Sequence, residues 1–151
     1  LIPFVDSSHF YITHRFLHWR GVYNHIHSVH HRNVNTGPWS GVSMHPVESA
    51  IFFSPLLIHI FLPSHPIHIV FHITWLSIGP ATTHCGFHAL SFGGKRYPYL
   101  GDFFHNLHHR FFECNYGNRE VPLDKIGGTF HDGSRTASVR INERAKAARR
   151  T

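Results

Sequence analysis

The sequence predicts an all-α protein, a hydrophobic helical hairpin that enters a membrane joined to a cytoplasmic helical cap that carries clustered histidines. Three observations lead there. In the 62 residues between Arg32 and Lys95 the only formal charge is Glu48. Within that gap, residues 47–81 are almost wholly apolar and are interrupted once, by "PSHP". Histidine supplies 18 of 151 residues, and ten of these fall into four sets with helical spacing.

The uncharged stretch comes first because a soluble domain seldom leaves so much chain without charge; its exposed faces need solvating groups. Residues 47–81 are apolar on all sides and show no stripe. A spanning helix takes about 20 apolar residues, so "PSHP" divides this stretch into two slightly short arms. Proline in a helix interior removes a hydrogen bond and clashes with the preceding turn, which places a tight turn at Pro63 and Pro66. Two tilted or partly re-entrant helices follow. Arg15, Arg20 and Arg32 precede the hairpin, and Lys95, Arg96 and Arg110 follow it. Both ends therefore lie on one side, which the positive-inside rule makes cytoplasmic. The alternative is a buried helical hairpin in a soluble core.

Around the hairpin, residues 9–32 predict a helix bent near Gly21, and "NVNTGPWSG" predicts a loop from its Asn, Gly and Pro content. "ATTHCGFHAL" predicts a short helix, "SFGGKRYP" a loop, and "YLGDFFHNLHHRFF" a further helix. "NYGNREVPLDKIGGTFHDG" reads as irregular but packed. These elements make one domain, residues 1–133, and "SRTASVRINERAKAARRT", residues 134–151, reads as a solvated basic tail. Beyond the net charge of +6 no nucleic-acid signature is present, so no nucleic-acid partner is expected. Cys85 and Cys114 are too few for a disulfide framework or a thiolate zinc site and read as small packed hydrophobes. The opening "LIPFVDSSHF" lacks Met, a basic leader and a small-residue cleavage site, and so reads as a piece of a longer protein, not a signal peptide.

The histidines carry the chemistry. Helical positions i, i+3 and i+4 share a face. His27, His30 and His31 in "HSVHH" therefore converge, as do His105, His108 and His109 in "HNLHH". His14 with His18 in "HRFLH" and His84 with His88 in "HCGFH" have i, i+4 spacing. Ten neutral imidazoles exceed the four to six positions of one ion and match two. Carboxylates are scarce, and Asp102, one turn before the last cluster, is available to orient a ring nitrogen. No catalytic group separate from the metal ligands is expected. His9, His25, His59 and His65 read as hydrogen-bonded core residues. His68 and His72 lie inside the apolar arm and are left out, while His45 and His131 are candidates to support the ligands from outside.

The series "HRFLH", "HSVHH", "HNLHH" resembles the HxxxH, HxxHH, HxxHH signature of the fatty acid hydroxylase and sterol desaturase superfamily of integral-membrane di-iron oxygenases. "HRNVNTGPWSGVSMHPVE" and "NYGNREVPLDKIGGTFHDG" resemble stretches after the second and third boxes of its sterol desaturase-like members, so the resemblance covers about residues 9–133. It implies a four-helix membrane architecture and a cytoplasmic cap in which His14, His18, His27, His30, His31, His84, His88, His105, His108 and His109 hold two iron ions, Fe2+ or Fe3+. Zinc fits the same donors. The implied activity is an O2-dependent oxidoreductase that hydroxylates or desaturates a sterol or fatty acyl C–H bond. Membrane helices expected before the first box are not in this chain, as for an N-terminally truncated fragment.

Electrons must come from outside, from a cytochrome b5-like protein, a ferredoxin or a reductase, because the chain has no GxGxxG fingerprint and no Cys cluster. Phe16, Trp19, Trp39, Phe87, Phe103 and Phe104 are candidates to line a lipid channel. Two other readings stand beside this one. A membrane zinc-dependent hydrolase is weakened by the lack of HExxH. A non-catalytic His-rich metal-binding protein is weakened by the structured apolar sequence between the clusters.

Overall fold

The computed structural model describes residues 1–87, 90–97, 103–118 and 120–148. Helix α1 (Ile2–Leu17) starts with Pro3 in its first turn, where a missing N–H costs no intrahelical bond. It begins seven residues before the predicted start at residue 9. Polar Ser8 and Thr13 remain helical because their hydroxyls donate to the carbonyls of Phe4 and His9, one turn back. The break comes after His18, where Trp19 is extended at φ −63° and ψ 130°, just ahead of the bend expected near Gly21. Two short helices follow, α2 (Arg20–Tyr23) and α3 (Ser28–His31). The predicted loop then contains a single 3-10 stretch, Pro38–Val42. Gly41 lies against the later helix that contains Pro80, and a Cβ there would overlap the backbone of Pro80.

The apolar region forms a helical hairpin whose first arm is segmented: α4 (Pro46–Phe53), a 3-10 stretch (Ser54–Leu57) that contains Pro55, and α5 (Ile58–Phe61). After the turn at Pro63 comes α6 (Pro66–His84). Both α4 and α6 open with the same His-Pro device. His45 accepts the Val47 N–H and His65 accepts the Ile67 N–H, each at 3.2 Å, with proline supplying the preset φ of the first turn. Among the described residues no helix is long and apolar enough to cross a membrane. The outer face of the hairpin is nevertheless apolar, with Ile60 and Phe61 exposed by 73% and 79%.

Helix α6 absorbs the first four residues of the predicted 81–90 helix and stops at His84, with Gly86 at φ +72° just beyond. The helix expected over residues 81–90 therefore stops short of His88, which lies outside the described residues. The loop expected at "SFGGKRYP" carries a small antiparallel hairpin, β1 (Leu90–Phe92) with β2 (Lys95–Tyr97). Gly93 and Gly94, both at positive φ, make its two-residue turn.

Helix α7 (Phe103–Phe111) packs between α6 and the C-terminal helix α9 (Arg135–Ala148). The expected solvated tail is thus a docked helix. Ala137 and Ile141, one turn apart, are buried, and the Ser134 hydroxyl caps the Ala137 N–H. The segment before α9 is irregular and packed, as expected, apart from the single turn α8 (Leu123–Ile126). Its polar side chains stand in for a ladder. The Asp124 carboxylate accepts the N–H groups of Tyr116 and Gly117 at 2.9 and 2.7 Å, and the Asn115 side chain pairs with both backbone groups of His131. Cys114 is buried and Cys85 half-buried, both as free thiols.

Candidate metal centre

Four segments deliver nine imidazoles to one place. Helix α1 brings His14, with His18 as its C-cap. Residues 27–31 bring His27, His30 and His31, α6 ends on His84, and α7 carries His105, His108 and His109. They form two groups: His14, His18, His27, His31 and His108, and then His30, His84, His105 and His109. Within each group the ligand atoms lie within 4.8 Å of one another. These are nine of the ten expected ligands, and the tenth, His88, lies outside the described residues. Each HxxHH box is divided. His27 and His31 serve the first group while His30 serves the second; on α7, His108 serves the first and His105 and His109 the second. A helix face separates i and i+4 from i+3 by enough rotation to address two neighbouring points.

Contacts on the outer side of the rings decide which nitrogen faces inward. The Nδ1–H of His14 donates to the Tyr116 carbonyl at 2.6 Å, that of His108 to the Cys114 carbonyl at 2.6 Å, and that of His84 to the Pro80 carbonyl at 2.7 Å. His30 Nδ1 donates to the Ser43 carbonyl at 3.2 Å and His27 Nδ1 to the Glu48 carboxylate at 2.7 Å. Carbonyls and carboxylates only accept, so each of these rings carries its proton on Nδ1 and presents a bare Nε2 lone pair. Yet His14 Nε2 and His27 Nε2 lie 3.0 Å apart, and His84 Nε2 and His30 Nε2 lie 3.2 Å apart. Two acceptors facing each other at that distance repel unless a cation is shared between them. The donor set in both groups therefore fits a metal ion.

Electrostatics agree. Burial, reinforced by neighbouring imidazoles, holds His14, His18, His30, His31, His105 and His108 well below the usual imidazole range, and it lowers His109 to about 3. The rings are neutral at physiological pH, the state a metal ligand requires.

Glu48 is the residue that sequence reasoning left without a role. It was the lone charge of the gap. A single carboxylate in so apolar a stretch must be paired once buried, and that was the signal available. The proposed orienting carboxylate, Asp102, lies outside the described residues. His45 caps α4, and His131 is buried with its ring stacked on Phe111, so neither joins the two groups. His72 lies apart from the two groups, buried in α6, with Nε2 on Asp6 at 2.9 Å and Nδ1 on His59 at 3.0 Å.

A cavity of about 360 Å³ reaches the centre. Its wall includes His14 and His27 from the first group and His30, His84 and His105 from the second, and the rest is mainly apolar, with Phe10, Leu17, Ile51, Phe52, Phe71 and Trp75. None of the six aromatic residues suggested for a channel lines it. Phe16, Trp19, Trp39 and Phe87 are exposed by half or more.

The fatty acid hydroxylase family profile matches residues 1–129, and the chain belongs to that family. Among curated proteins it is similar to the Delta(7)-sterol 5(6)-desaturase of Candida glabrata, at 32% identity over 124 residues, which covers 80% of this chain and 32% of that protein. It is also similar to the Delta(7)-sterol 5(6)-desaturase of Candida dubliniensis, at 30% identity over 85% of this chain and 32% of the relative. The Delta(7)-sterol-C5(6)-desaturase of Nicotiana tabacum is 30% identical over 74% of this chain and 41% of the relative. The chain thus spans about a third of the fungal proteins it matches. No solved structure matches the chain.

Proposed function

We propose that this chain is the catalytic portion of a membrane-bound lipid oxidoreductase, which hydroxylates or desaturates a sterol or fatty acyl chain with O2 at two iron ions. The observation that carries the reading is the cavity, whose wall joins imidazoles of both groups to a largely apolar surface. Its volume falls in the range of small-molecule sites. The naming of the relatives as sterol desaturases supports a lipid substrate.

In this reading His14, His18, His27, His31 and His108 hold one ion, and His30, His84, His105 and His109 hold the other. Bound iron would supply the reduction of dioxygen and the removal of hydrogen from an unactivated C–H bond, with electrons from an external carrier. The chain does the rest. Glu48 and the carbonyls of Tyr116, Cys114, Pro80 and Ser43 keep the ring protons of His27, His14, His108, His84 and His30 on Nδ1, so the Nε2 of each of these five is ready without rearrangement. Phe10, Phe52 and Trp75 exclude water and hold the lipid against the centre. The exposed apolar face of the hairpin contacts bilayer lipid, with the metal groups on the cytoplasmic face.

The test is anaerobic reconstitution of the full-length protein with ferrous iron, followed by lipid analysis after O2 and a reductant are added. Two irons per chain and an oxygen-dependent lipid product support the reading. Stable zinc with lipid hydrolysis and no oxygen uptake overturns it.

A further inference from the structure

We propose that Lys125, Arg140 and Arg144 form the docking surface for an acidic one-electron carrier protein, and that electrons enter the metal centre from there through Thr129, Asn115 and His108. The inference rests on the oxygenase reading, since that chemistry needs an external reductant.

Three cations are tied to one short stretch of backbone. Lys125 Nζ sits 4.9 Å above the ring of Phe130, Arg140 donates to the Phe130 carbonyl at 2.7 Å, and Arg144 donates to the Gly128 carbonyl at 2.5 Å. All three side chains are exposed. Three like charges fixed over one short stretch of backbone repel one another, and an anionic partner relieves that repulsion. Nearby acids do not cancel the patch. Asp124 is buried, with its carboxylate turned onto the Tyr116, Gly117 and Thr129 donors, and the exposed acids Asp132 and Glu143 are two against the six Lys or Arg of residues 134–151.

The patch is wired to a ligand. Thr129, the residue between the two anchored carbonyls, accepts the Asn115 N–H at 3.0 Å. Asn115 is bonded to Cys114, whose carbonyl accepts the Nδ1–H of His108 at 2.6 Å. Two hydrogen bonds and one peptide unit therefore link the surface to the first metal group. Electronic coupling decays more slowly along bonds than across gaps.

A protein fits this surface better than a bilayer. An interfacial helix needs an apolar face to insert, but α9 has turned Ala137 and Ile141 inward and exposes only Val139 as a large apolar side chain. Ile126, 79% exposed beside Lys125, supplies one apolar contact at the edge. Each encounter passes one electron from the reduced carrier to the oxidised metal pair, and the carrier leaves oxidised by one. Two encounters supply two electrons per turnover. With two protons from solvent, these take O2 to two waters when the lipid gives up two hydrogen atoms in desaturation, or to one water and one lipid hydroxyl when a C–H bond takes up the other oxygen atom in hydroxylation.

The test titrates the full-length protein, metal-free and iron-loaded, with the soluble haem domain of a cytochrome b5. Binding is expected to weaken as salt rises from about 0.05 to 0.3 M, because screening shortens the reach of the charges. The variant Lys125→Glu/Arg140→Gln/Arg144→Gln, which keeps amide donors for both carbonyls, should bind about tenfold or more weakly, while Lys95→Glu binds as wild type. If the triple variant melts early, Lys125→Glu alone is used, since its side chain holds no carbonyl, and about threefold is expected.

Unchanged carrier affinity in the folded variant overturns the inference. So does loss of binding to phosphatidylserine vesicles with carrier binding intact. Wild type driven by dithionite separates the two readings. A lipid product with dithionite and no effect of the patch on carrier binding removes only the docking surface, whereas no product with either reductant counts against the oxygenase reading.

Discussion

Glu48 Oε1 accepts a hydrogen bond from His27 Nδ1 at 2.7 Å, with both side chains almost fully buried. The pair decides which nitrogen of His27 faces the first metal group. Glu48→Ala should lower metal affinity about 10–100-fold, the usual cost of losing a ligand's orienting partner. Glu48→Gln should lose less, because an amide oxygen still accepts the Nδ1 proton although without charge. Competition with a coloured chelator measures both, and equal losses would show that the carboxylate's shape is not what His27 uses.

The division of the boxes predicts metal counts. His108→Ala removes a member of the first group and His30→Ala a member of the second, so each should bind about one ion where wild type binds two. His59→Ala, outside both groups, should keep both ions. Elemental analysis after dialysis reads the ratio, and a uniform fall in all three variants would mean diffuse binding by a His-rich surface.

Acid should unfold the metal-free chain early. An unfolded histidine takes up a proton near 6.5, whereas burial lowers folded His109 to about 3. The unfolded state then binds more protons, so the stability these rings contribute is full above pH 6.5 and falls progressively as pH drops towards 3. Thermal melts of the chelated protein between pH 8 and pH 4 should show the midpoint falling mainly below 6.5. A midpoint flat across that range would rule out buried neutral rings.

Gly41→Ala should damage the second metal group from a distance. Its Cβ would overlap the backbone of Pro80, whose carbonyl takes the Nδ1 proton of His84. Overpacking of this kind costs about 1–3 kcal/mol, and the shift of α6 should also weaken the site that contains His84. A melt combined with a metal count reads both effects, and a stable variant with both ions in place would show that α6 can yield.

Legibility followed the range of the forces involved. His14 with His18 and the two HxxHH boxes could be found in the sequence because helical spacing is local. The partition of His30 away from His27 and His31 depends on how α3 faces α6 and α7, which no local spacing encodes. The helix expected over "ATTHCGFHAL" is cut short because Gly86 ends α6 in a left-handed turn. The tail was misread for a related reason. "SRTASVRINERAKAARRT" looks solvated by composition, yet two small apolar residues one turn apart, Ala137 and Ile141, dock it against α7. None of the aromatic candidates for the channel lines the cavity, whose large apolar side chains come mainly from α1, α4 and α6, which no local pattern brings together.

The interleaving of ligands also sets a schedule for biosynthesis. His14 leaves the ribosome long before His108, and both belong to the same metal group. Neither ion can be captured with its full donor set until α7 has been translated, by which time the apolar hairpin is already made. On the proposed reading, metal loading would follow translation of α7, and a chain truncated before α7 would keep six of the nine imidazoles and complete neither group.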